Sequence, residues 1–81
     1  MIHAREDYQR IQDPECLIPA DEPVFLLRAQ DACAAVAVDA WANAAELSGA
    51  SREIVASARK QAERMRLWPK HQTPDMPNDP F

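Results

Sequence analysis

Residues 31–69, DACAAVAVDAWANAAELSGASREIVASARKQAERMRLWP, decide the fold of this chain. Asp31 has the side chain of a helix N-cap, and the alanine-rich run 32–48 behind it has very high helix propensity. Gly49, the one glycine in the sequence, is placed to end that helix in a left-handed conformation. Ser51 then caps a second helix over about 52–67, with Glu53 in its first turn favourable to the helix dipole. Pro69 stops it, because the residue before a proline avoids helical backbone angles. A connection of two to four residues lays two such helices antiparallel, as a hairpin.

The apolar spacing within the two helices defines their facing surfaces. On the first, Ala34, Val38, Trp41 and Ala45 follow the helical repeat, with Val36, Ala40 and Leu47 on a neighbouring stripe. On the second, Ile54, Ala58, Ala62 and Met65 form one stripe, with Val55 beside it. The first helix is apolar around most of its circumference, so something besides the second must cover it: residues 24–27 or another subunit. Trp41, in a field of alanine, reads as a keystone of the core or of a subunit interface.

Upstream, Pro14 breaks any helix, and Pro19 and Pro23 prevent another from starting before residue 24. Cys16, Leu17 and Ile18 between them form a small apolar knot that is expected to tuck in as a loop. Residues 23–27, PVFLL, read as a short extended segment or as a first helical turn with proline at its first position. The fresh start at Asp31 favours the extended reading. Residues 1–14 form the N-terminal arm, of which the polar stretch 1–12, anchored only by Ile2, Tyr8 and Ile11, is a short helix or an ordered arm; residues 15–70 form the helical-hairpin domain, and 71–81, HQTPDMPNDPF, a proline-rich extended tail without periodicity. The expected fold class is mainly α.

An 81-residue chain has room for one modest core, and alanine buries little area, so self-association is expected. A net charge of −4 argues against general nucleic-acid binding. The charge is nevertheless uneven: residues 1–31 balance to −4 and residues 51–70 to +4. Cys16 and Cys33 sit in no metal-ligand spacing and read as reduced thiols, with Cys33 buried in the first helix, the alternative being a disulfide. Charges at Arg5, Glu6 and Asp7 interrupt any signal peptide, and no run approaches the ~20 apolar residues of a membrane span. The expected location is the cytoplasm.

Catalysis finds no apparatus here. His3 and His71 lie near the termini without a nearby Cys, Asp or Ser in a triad spacing, and one glycine cannot build a phosphate loop. No cofactor is expected. Binding is better served. Arg28 offers a forked donor to a carboxylate or phosphate, with Gln30 beside it, unless it merely pairs with Asp21, Glu22 or Asp39. Arg52, Arg59 and Arg66 recur every seven residues and stand on one stripe of the second helix, with Lys60 and Lys70 nearby. The stripe is either a solvated basic face, diluted by Glu63, or an anion platform. Trp68, at the end of that helix, packs over the hairpin or stacks on a base.

Residues 18–31, IPADEPVFLLRAQD, with Trp41-Ala42 and Met65 to Trp68-Pro69 further on, resemble a set of small bacteriophage and proteobacterial proteins of no assigned activity. In that set a DEPVF-LRAQD block precedes an alanine-rich helix and a basic helix. The resemblance covers roughly residues 15–70 and implies a context, phage anti-defence, rather than a mechanism. By analogy with that class, the expected function is non-catalytic sequestration of an anionic nucleotide-type ligand by a homo-oligomer through Arg28, Gln30, Arg59, Arg66 and Trp68. The alternative is a module that covers a host protein.

Overall fold

In the computed structural model, which describes residues 1–5 and 13–74, the hairpin closes through one tight junction. Helix α1 spans Ala34–Leu47 and helix α2 spans Arg52–Arg66. Gly49 sits at φ +85° just past Ser48, the C-cap of α1. Gly49 N–H donates to Glu46 O at 3.1 Å and Ala50 N–H to Ala45 O at 3.0 Å, the paired bonds of a Schellman motif. Ser51 is extended and its Oγ accepts from Ile54 N–H at 3.3 Å, so the expected cap of α2 is in place. Arg64 and Arg66 occupy the last turn of α2, where cations complement the carbonyl end of the helix.

The chain divides into two units, Met1–Leu26 with Asp75–Phe81, and Leu27–Pro74. In the first unit, β1 (Ile2–His3) and β2 (Pro23–Val24) pair in parallel, Ile2 opposite Pro23 and His3 opposite Val24. The extended reading of 23–27 therefore holds for its first two residues. The Asp13 carboxylate accepts from Leu17 N–H at 3.1 Å and Ile18 N–H at 3.0 Å, closing a loop in which Cys16 has φ 53°. That loop does not tuck in at Leu17, which is 75% exposed, because the turn is held through the Asp13 carboxylate and backbone N–H groups and places no demand on the leucine side chain. The expected arm anchors Tyr8 and Ile11, and the tail beyond residue 74, lie outside the described residues.

The second unit is the antiparallel hairpin. Its buried side chains are Ala34, Ala35 and Ala42 of α1 with Val55 and Ala62 of α2, flanked by half-buried Val38, Ala45, Ala58 and Met65. No buried side chain is larger than valine, so α1 and α2 approach closely. Trp41 is half exposed and is not a keystone of this core, since a ring that size would hold the helices apart. Ile54, expected on the inner stripe, is likewise half exposed; the stripe runs instead through Val55, one position round the helix.

The start of α1 differs from expectation. Its N-cap is Cys33, without a side-chain cap bond, and Asp31 lies two residues earlier. Asp31 is committed elsewhere: its carboxylate accepts from Cys33 N–H at 2.7 Å and its own N–H donates to Arg28 O at 2.9 Å. It also forms a parallel bridge with Gln72. Cys33 is correspondingly exposed rather than buried, and both cysteines are free thiols.

Candidate functional site

The turn at residues 28–31 and the end of α2 supply one concavity. Arg28, Ala29, Gln30 and Trp68 line a hollow of about 260 Å³. Asp31 N–H closes the turn on Arg28 O, and the chain leaving α2 returns alongside it. Gln72 N–H donates to Gln30 O at 2.7 Å, and Ala32 N–H donates to Gln72 O at 2.9 Å. Between α2 and this strap, Trp68 N–H donates to Met65 O at 3.2 Å, and Pro69 follows. Three of the five residues expected to bind ligand thus meet at one place.

Chemically the three are complementary. Arg28 is exposed and its guanidinium makes no ion pair with a described residue; Asp39, one of its expected partners, is bonded to Arg66 instead. A free guanidinium presents planar paired donors that match a carboxylate or phosphate. The Trp68 ring, 51% exposed, offers a flat face for a planar ring. The half-buried Gln30 amide donates and accepts, as reading the edge of such a ring requires. The volume is slightly below the ~300–1,000 Å³ usual for small-molecule sites. It suits one planar ring with one acidic group better than a dinucleotide.

Arg59 and Arg66 are not part of this concavity. Arg59 Nη1 lies 2.9 Å from Glu46 Oε2, and its Nη2 donates to Asn43 Oδ1 at 3.2 Å. Arg66 Nη1 lies 2.8 Å from Asp39 Oδ2, and its Nε lies 3.2 Å from Glu63 Oε2. The seven-residue arginine repeat is answered by a seven-residue acidic repeat, Asp39 and Glu46, running the other way on α1. Arg59 and Arg66, two of the three arginines of the stripe, are therefore held in interhelical ion pairs rather than standing on an open anion platform, while Arg52 lines a hollow beside the hairpin turn. The partners of Arg59 and Arg66 are legible in the sequence as a matching acidic repeat in α1. Gln72, which ties down Gln30, carried no sequence signal.

Two other hollows have different chemistry. Glu46, Ala50, Arg52, Val55, Ala56 and Arg59 surround about 480 Å³ beside the hairpin turn, where Glu46 already engages Arg59. In the first unit, Ile2, His3, Ala4, Pro23, Val24 and Phe25 line about 390 Å³. The ring nitrogens of His3 are buried there without a hydrogen-bond partner, and no charged group lines the hollow. Among the described residues no group of three or more His, Cys, Asp or Glu side chains is placed to hold a metal ion, and no helix is long and apolar enough to cross a membrane.

Compared with known protein families, curated proteins and solved structures, the chain matches none.

Proposed function

We propose that this is a non-catalytic binding protein whose hollow between the 28–31 turn and the end of α2 captures a small anionic ligand with a planar ring, of the mononucleotide class. The observation that carries the reading is the convergence of Arg28, Gln30 and Trp68 on one hollow, with Arg28 free of ion pairs among the described residues. Arg28 holds the acidic group, Trp68 stacks on the ring and Gln30 reads its edge. Arg59 and Arg66 take no part, because their guanidinium groups face carboxylates of their own chain. The phage resemblance supplies a setting for such capture, the removal of a nucleotide signal from a host cell.

Isothermal calorimetry of the full chain against AMP, GMP, cyclic AMP, ADP-ribose and inorganic phosphate tests this. Binding of at least one nucleotide tighter than about 1 mM, weakened roughly tenfold or more by R28A or W68A and unchanged by R59A, is the expected result. No binding tighter than about 1 mM across the panel overturns it and leaves the host-protein reading, which a pull-down from lysate addresses.

A further inference from the structure

Within the unit Leu27–Pro74, the outward face of α1 meets no other element. Val36 is 70% exposed and Leu47 90% exposed, with exposed Ala40 and Ala44 between them. At 3.6 residues per turn these four lie within about 80° of arc, opposite the face that meets α2. No charged residue interrupts the arc. The only charges on α1 are Asp39 and Glu46, on one flank, and each is paired with an arginine of α2.

We propose that this face is a homodimer interface, on which a second copy of the same helix packs antiparallel. Three observations favour a second copy over an unrelated occupant. The face reads large, small, small, large: Val36, Ala40, Ala44, Leu47, with spacings of four, four and three. Reversing a second α1 against it sets Val36 of one copy beside Leu47 of the other and Ala40 beside Ala44, so the surface is complementary to itself, as a two-fold interface requires. The two-fold passes next to Trp41, and the half-exposed rings of the two copies border the contact along the same edge. Neutrality supplies the second observation. This chain carries a net charge of −4 and copies of it repel, yet on this flank the ion pairs to Arg59 and Arg66 have cancelled both acids. Third, the hairpin buries nothing larger than valine, so its own core is thin, and another copy is always available to cover the apolar surface left over. One helix on one helix lies at the small end of interface sizes, so the dimer dissociates on dilution.

Sedimentation velocity on the full chain, from roughly 1 µM to 1 mM, reads the assembly. V36K and L47E are each expected to shift the protein to monomer while keeping its far-ultraviolet helical signal. S57E, on α2, leaves the dimer intact. Mixing V36K with L47E restores a dimer, because the antiparallel register puts the new lysine of one chain against the new glutamate of the other. In a parallel register position 36 would meet position 36, and the mixture would gain no such pair. A wild-type chain that stays monomeric throughout, a dimer indifferent to both substitutions, or a mixture that fails to reassociate overturns the proposal. The ligand panel and this experiment fail independently of one another.

Discussion

Arg66 reaches across the hairpin to Asp39, Nη1 to Oδ2 in 2.8 Å, and its Nε lies 3.2 Å from Glu63 of its own helix. Seven residues back along α2, and seven forward along α1, Arg59 and Glu46 repeat the arrangement at 2.9 Å. Only one antiparallel register satisfies both pairs, so the ladder selects alignment more than it adds stability. The Arg66 and Asp39 side chains are 44% and 39% exposed, which screens the attraction. D39R and R66D are each expected to destabilise the hairpin, and the double variant to recover part of the loss. A coupling of about 0.5 kcal/mol in urea unfolding, fading as salt rises, is the expected size. Additive single-variant effects at low salt would show that the pair does not help to set the register.

The junction between the helices depends on one backbone angle. A Cβ built on Gly49 meets nothing within 4 Å, so a substitution there costs only what φ +85° costs. G49A is expected to lose about 1 kcal/mol, and G49N less, since asparagine tolerates the left-handed region. Thermal melts of the two variants decide it. Equal losses would mean that something other than backbone conformation sets the requirement for glycine.

Close approach of α1 and α2 rests on alanine. Ala42 and Ala62 are both 0% exposed, and neither position has room for a longer side chain. A42L and A62L are each expected to cost about 1–3 kcal/mol through overpacking. A56L, at an exposed site on α2, stays within about 0.5 kcal/mol of wild type. Leucine accepted at 42 or 62 without loss would mean that the helices stand further apart than the structure has them.

Local signals made the hairpin legible in sequence. Gly49, Ser51 and Pro69 act through their own backbone or their immediate neighbours, and each sits where its chemistry predicts. Asp31 failed as a predictor for the opposite reason. Its backbone is bridged to Gln72, forty-one residues away, and the start of α1 moves to Ala34 as a result. The arginine repeat was visible, but a basic stripe looks alike whether solvent, ligand or carboxylate faces it. Only the alignment with Asp39 and Glu46 separates those cases. Arg28 and Gln30 are neighbours in sequence and Trp68 is a ring at a helix end; their meeting requires the return of the chain after Pro69.

That return can be cut without touching the helices. Gln72 donates its N–H to Gln30 O and accepts from Ala32 N–H through its own carbonyl, so both bonds are made by backbone. Q72A keeps both groups and is expected to behave as wild type. Q72P removes the N–H donor, leaves Gln30 O without its partner at a cost of about 1 kcal/mol, and loosens the wall that faces Trp68. Nucleotide affinity in calorimetry should therefore fall several-fold in Q72P while the helical circular dichroism signal is retained. A Q72P protein that binds as tightly as Q72A would mean that Gln30 and Trp68 are positioned by something other than this bridge.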